Sequence, residues 1–230
     1  MFAIAFIVAL IFIVNEAKRR KIEEKHIYNI ALLSLIGTII GARLFYVVEH
    51  LSHFLERPLE ILMIWQGGLT SYGAFLSLLF VWLYVKKQKI SFGQILDLIA
   101  PYLLLAIAIT RIGCFLNWDD YGKITSVPWA IKVGNETRHP TQLYESLYAL
   151  IGFFVVKKFG KVKKDKKEGN LFLLSLMFYS FFRFFNDFLR EYEIVFGLAL
   201  SQWLCFLIFI IAALLFSRNK FSVCSRFSRE

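Results

Sequence analysis

The run D-L-I-A-P-Y-L-L-L-A-I-A-I-T-R-I-G-C-F-L-N-W-D-D-Y-G, residues 97–122, decides the class of this protein. It is apolar for a membrane's width, carries Arg111 shortly before its end, and then turns polar. A spanning helix needs about 20 mostly apolar residues, and the stretch 94–116 supplies them. Further apolar stretches lie at 28–48, 61–85, 141–156, 170–189 and 194–216. The run Met1–Val14 lacks the basic leader and cleavage site of a signal peptide, so it reads as a first helix. The expectation is an all-α, polytopic membrane protein of about seven transmembrane helices, with residues 1–230 forming one domain.

Composition agrees. Of 230 residues 58% are hydrophobic, 25 are Phe and only 19% are charged, against about 25% charged in soluble domains. A soluble fold of this size has no interior large enough for so many apolar side chains. Three Cys, at 114, 205 and 224, are too few and scattered for a disulfide framework or a zinc site. The net charge of +10 is explained by placement. Loops 16–26, 86–91 and 157–167 and the tail after 216 hold 19 basic residues, against 5 in the opposite loops. Cytoplasmic loops collect Lys and Arg, so the N-terminus is expected outside and the C-terminus in the cytoplasm. The basic loops then lie against anionic membrane lipids, and nucleic acid is not an expected partner.

Ionisable groups inside a bilayer cost about 2.5–3.5 kcal/mol each on insertion scales and face a bundle interior or a cavity. Here they are Arg43, Asp97, Arg111, Glu145, Arg183 and Asp187. Most collect in the outer half, beneath the loop 117–140. Asp97 lies near the inner face and reads as a helix-start or packing feature. Arg183, Asp187 and Arg190 are spaced four and three apart, on one helix face. One ion pair accounts for one Arg, leaving surplus positive charge. Such a surplus suits a lipid phosphate, whose oxygens a guanidinium fork takes two at a time. Asp119 and Asp120 without a nearby His make a poor metal site. The stretch R-H-P-T-Q-L-Y-E (138–145) sets Pro140 at a helix start and puts His139, Gln142 and Glu145 on one face. It suits a helix-start cap and a catalytic cluster equally.

Seven stretches, in order, resemble the prolipoprotein diacylglyceryl transferase family: G-A-R-L-F-Y-V (41–47), W-Q-G-G-L-T-S-Y-G-A-F (65–75), D-L-I-A-P (97–101), R-I-G-C-F-L-N-W-D-D-Y-G (111–122), R-H-P-T-Q-L-Y-E (138–145), F-R-F-F-N-D-F-L-R (182–190) and L-S-Q-W-L (200–204). The resemblance implies a multi-pass enzyme of the bacterial plasma membrane. It implies transfer of the diacylglyceryl group of phosphatidylglycerol to the lipobox Cys of prolipoprotein signal peptides, with release of glycerol phosphate. No metal or organic cofactor is expected. By the same resemblance Arg111 holds the headgroup phosphate, Arg183 is a second essential Arg, and Asp187 with Arg190 orients it. Asn117, Asp119 and Gly122 shape the loop over the site, while Arg138, His139, Gln142 and Glu145 lead into the next helix. Gly67, Gly68 and Arg43 complete the expected substrate-binding set. The chain departs from the family pattern in three places. Tyr72 stands where the family's G-G-M-x-x-H-G motif has His, Cys114 stands where an Asn is common, and the Trp-Tyr-Gly stretch before the first helix is missing. With Tyr72 a poor substitute for His as a base, Tyr72 is expected to hold the headgroup by hydrogen bonds, and His139 or the lipid phosphate itself to accept the thiol proton.

Overall fold

The computed structural model describes residues 1–63, 65, 67, 73–162 and 167–227. They form eight α-helices: α1 (Phe2–Arg19), α2 (Glu24–Glu49), α3 (Leu51–Glu56), α4 (Gly73–Lys87), α5 (Phe92–Leu116), α6 (Thr141–Val162), α7 (Asn170–Asn186) and α8 (Leu200–Phe227). Two small antiparallel hairpins break the expected all-α pattern. One pairs β1 (Ile131–Val133) with β2 (Glu136–Arg138), and the other pairs β3 (Ile194–Val195) with β4 (Leu198–Ala199). Both are short and tightly turned. Gly134 takes φ +62° in the first, and Phe196 with Gly197 take φ +52° and +84° in the second, the backbone sense that two-residue hairpin turns need.

Among the described residues, four helices have the length and apolarity to cross a membrane: α2, α5, α7 continued to Leu189, and α8 as far as Asn219. The first helix and the 141–156 helix are also present. However, α1 ends in Glu16, Lys18 and Arg19, and α6 carries Glu145 and three lysines. Around the stretch 61–85 the described residues hold a 3-10 turn at Pro58–Leu62 and the helix Gly73–Lys87. Large apolar side chains such as Leu32, Ile36, Leu103, Ile151 and Leu207 stay exposed along the helices, as they do where the surrounding solvent is hydrocarbon.

The chain divides into two compact units, Val14–Phe92 and Met1–Ile13 with Gly93–Glu230. In the first, α2 packs on α4 at close range. A Cβ on Gly37 would stand 2.8 Å from the Ser77 Cα, the small-residue approach that draws membrane helices together. Tyr84 clips the same pair, taking a hydrogen bond from Asn29 at 2.8 Å and contacting His26 Nδ1 at 2.9 Å.

In the second unit α7 packs against α6 and α8. Gly152 lets the Phe178 ring lie where a Cβ would come within 2.7 Å, and Ser146 ties α6 to α5 by donating to the Ala108 carbonyl at 2.8 Å. Asp97 answers its sequence reading as a helix-start feature, but for another helix. Its carboxylate accepts from the backbone N–H groups of Gly169 at 2.8 Å and Phe172 at 2.9 Å. It thereby meets the orphan donors and the positive end of the α7 dipole.

Candidate active site

The site grows from one buried carboxylate. Glu145, on the second turn of α6, has no solvent exposure. Its Oε1 pairs with Arg111 Nε at 2.9 Å and accepts from the Tyr179 hydroxyl at 2.6 Å. Its Oε2 accepts from Arg183 and lies 3.3 Å from Arg190 Nη2. Three guanidiniums from α5, α7 and the segment after α7 thus converge on a single side chain. An uncompensated buried charge costs several kcal/mol, so each of these groups depends on the others.

The end of α7 explains how Arg183 and Arg190 both arrive. The helix tightens into a 3-10 turn over Asp187–Leu189, where residues three apart eclipse one another. Asp187, also without exposure, pairs with Arg183 Nε at 3.0 Å. Arg190 turns to Glu145 and to Asp120, not to Asp187. Tyr192 closes the ring, its hydroxyl oxygen accepting from Arg183 at 3.1 Å and from Arg190 at 2.9 Å.

The third carboxylate comes from the loop. Asp120 Oδ2 lies 2.8 Å from Arg111 Nη1 and 2.7 Å from Arg190 Nη1. Three guanidiniums therefore face Glu145, Asp187 and Asp120. The surplus positive charge expected from the sequence is corrected here: counting acids within spans overlooked the one that the loop lowers onto the cluster. Tyr179 and Tyr192 were missed too. Tyr179 stands four residues before Arg183 on α7, so helical spacing was a signal for it. Nothing in the sequence pattern singled out Tyr192.

The loop is held at a crossing of three chain segments. The Gly122 N–H donates to the His139 carbonyl at 2.9 Å, and the next N–H, of Lys123, donates to the Leu189 carbonyl at 2.7 Å. A Cβ on Gly122 would stand 2.4 Å from the Leu189 oxygen and 2.7 Å from Thr141 Cγ2, so only glycine lets the segments meet. Just before it, Trp118 and Asp120 take positive φ of 59° and 67°, a costly conformation outside glycine. Donors from α6 fix that backbone, with Gln142 donating to the Asp119 carbonyl and Thr141 to the Asp120 carbonyl at 3.1 Å.

The other expected residues fall elsewhere. Asn117 donates to the Asp119 carboxylate, and both line a cleft of about 370 Å³ with Met1, Gly113 and Cys114. Arg138 is a loop brace, bonded to Glu136 at 2.7 Å, to Glu191 at 3.0 Å and to the Gly122 carbonyl at 3.2 Å. The hydrogen bond to Glu136, with the one to Glu191, holds its guanidinium above the ordinary arginine pKa. His139 pairs with Tyr144 at 3.2 Å, and no hydrogen bond or ion pair joins its ring to the arginine cluster among the described residues. In the first unit Arg43 donates to the carbonyls of Ile61 at 2.9 Å, Gly67 at 2.8 Å and Glu60. Gly68 and Tyr72 lie outside the described residues.

Comparison with known proteins adds an independent line. The family model described as prolipoprotein diacylglyceryl transferase matches residues 1–218. A phosphatidylglycerol–prolipoprotein diacylglyceryl transferase of Pediococcus pentosaceus is 35% identical, covering 94% of this chain and 84% of its own. Proteins of the same description from Geobacter sulfurreducens (33% identical, 96% and 90% covered) and Clostridium tetani (32%, 96% and 92%) are similar over nearly the full length.

Proposed function

The chain belongs to the prolipoprotein diacylglyceryl transferase family, and from that premise we propose that it moves the diacylglyceryl group of phosphatidylglycerol onto the lipobox Cys thiol of prolipoproteins. The setting is the bacterial plasma membrane, which the chain crosses seven times with its N-terminus outside. In the reaction the substrate thiolate attacks the glyceryl carbon that bears the phosphate. A carbon–sulfur bond forms, the carbon–oxygen bond breaks, and the electron pair leaves on the phosphate oxygen of glycerol phosphate. The thiolate is the nucleophile, so the thiol proton must first be taken up.

The observation that carries this reading is the fixed ring of Arg111, Arg183 and Arg190 around Glu145. Preorganised cations aimed at a phosphate stabilise the charge that develops as the leaving group departs. Arg111 and Arg190 hold the phosphate oxygens, and Arg183, clamped by Glu145 and Asp187, keeps the ring in register. Gly122, Arg138 and Gln142 hold the loop above, with Asn117 and Asp119 beside it, while Arg43 fixes the segment that leads to Gly67 and Gly68. In this reading Tyr72 bonds the headgroup and His139 takes the proton, since a phenol keeps its own proton near neutral pH whereas a neutral imidazole offers a free ring nitrogen.

The test uses membranes of a bacterial strain depleted of its own transferase. The chain and its Arg111→Ala variant are supplied with acyl-labelled phosphatidylglycerol and a lipobox peptide. A thioether-linked, labelled peptide found by mass with the parent chain alone supports the proposal. No labelled peptide from folded, inserted parent protein refutes it.

A further inference from the structure

Asp120 differs from the two carboxylates it resembles. Glu145 and Asp187 have no exposure, whereas the Asp120 side chain is 39% exposed. Its bonds to the arginines both run through one oxygen, Oδ2, which bridges Arg111 and Arg190. A single anionic oxygen between two guanidiniums is the arrangement a phosphate oxygen adopts in an arginine clamp. Its backbone is pinned through the Thr141 bond to its carbonyl, so the carboxylate can leave by side-chain rotation alone. Glu145 and Asp187 have no such exit without opening the helices.

We propose that Asp120 is a resident anion that fills the headgroup-phosphate position between lipids, is displaced by each incoming headgroup, and returns to expel the product. This rests on the reading of Arg111 and Arg190 as phosphate ligands. The charges support it. With Asp120 turned away, three guanidiniums face two carboxylates, one positive charge in excess. A phosphodiester such as phosphatidylglycerol brings one negative charge, so the exchange is electroneutral. The released glycerol phosphate is a monoester of about −1.5 to −2 at neutral pH, which overfills the site, and the returning carboxylate displaces it. Arg190, only 2% exposed, also keeps an Nε–H without a hydrogen-bond partner among the described residues, a donor in reserve for a ligand with more oxygens than a carboxylate. Asp120 is thus a positioning residue that sets how tightly substrate and product are held.

The experiment is steady-state transfer by the purified full chain in detergent micelles, with phosphatidylglycerol, a lipobox peptide and added glycerol phosphate as inhibitor. Removing the competitor in Asp120→Asn should lower the KM for phosphatidylglycerol and the inhibition constant for glycerol phosphate by about three- to tenfold each, with kcat reduced as product lingers. Asp120→Glu, which restores the charge, should move both constants back toward the parent values. Unchanged or raised constants in Asp120→Asn overturn the proposal. So does an Asp120→Asn chain that fails to fold while Asp120→Glu folds, because the carboxylate is then a fixed structural ion. Arg111→Ala separates the two ideas. If it keeps the parent KM, the phosphate reading itself fails. If it loses lipid affinity while Asp120→Asn changes nothing, only the exchange of anions fails.

Discussion

Arg43 and Arg111 are both guanidiniums on long apolar helices, and their surroundings could hardly differ more. Arg43 is met by three main-chain carbonyls, of Glu60, Ile61 and Gly67, and its face lies 5.2 Å from the Phe54 ring centroid. Arg111 is met by the carboxylates of Glu145 and Asp120. Carbonyl acceptors fix the path of a backbone. Carboxylates cancel the positive charge and can be exchanged for another anion. An arginine buried in a membrane is therefore a brace or a binding group according to its acceptors. The family resemblance put both residues in the expected substrate-binding set.

The largest effect is expected at the centre of the carboxylate-bound group. Glu145→Gln keeps the shape but leaves Arg111, Arg183 and Arg190 facing two carboxylates. Breaking buried ion pairs of this kind costs about 3–5 kcal/mol, so the melting temperature in detergent should fall steeply and transfer should be lost. A Gln variant with parent stability would mean that the ring does not depend on its central charge.

Next come paired Arg→Lys exchanges, which keep charge and remove the planar fork. Arg111→Lys should lower kcat/KM for transfer by about 100-fold, because a point charge lacks the planar fork that holds Glu145 on one side and a phosphate on the other. Arg43→Lys should cost about tenfold, with faster hydrogen exchange in residues 57–63 as carbonyl anchors are lost. Equal losses at the two positions would erase the distinction between brace and binding group.

How much of this was legible beforehand follows from the physics of each signal. Hydropathy marks helices well, and α2, α5, α7 and α8 stand where the apolar stretches are. It cannot mark a 3-10 turn, so the stretch 61–85 hides Pro58–Leu62 running into it. Helical spacing and bilayer cost together brought out Arg111, Glu145, Arg183, Asp187 and Arg190. Asp120 was read beside Asp119 as a weak metal pair, because no local rule says which of two adjacent acids a loop will turn inward. That choice is made by Gly122, Gln142 and Thr141, which are distant in pattern and near in space. His139 and Glu145 were placed on one face with equal claim, and tertiary contacts sent the first to Tyr144 and the second to the arginines.

A smaller effect separates the ring's neutral member from its charged ones. Tyr192 accepts from Arg183 and Arg190 through a hydroxyl oxygen, a charge-assisted bond without an ion pair. Tyr192→Phe should reduce kcat/KM by about five- to tenfold, with the fold intact. A loss as large as that of Arg111→Lys would move Tyr192 from supporting the ring to acting in the reaction.

The smallest effect belongs to the segment that Arg43 braces. Glu60 takes hydrogen bonds on its side chain from His53 at 2.9 Å and Arg57 at 3.3 Å. The bond from His53, followed by that from Arg57, lowers its pKa below the ordinary value. A lowered folded-state pKa means that the charged form favours the fold. Its contribution is full above the unfolded carboxylate pKa of about 4.3 and disappears as pH falls through the lower folded value. The groups are largely exposed, so the contribution is small. Hydrogen exchange in residues 57–63, corrected for its intrinsic pH dependence, should rise by less than about twofold from pH 7 to pH 3.5. Glu60→Gln should remove that step and leave the Arg43 effect whole, because Arg43 grips the Glu60 carbonyl and not its carboxylate. A pH step exceeding the change in Arg43→Lys would mean that the ion trio, and not the carbonyl-bound guanidinium, holds the segment, and Arg43 would lose its standing as a brace.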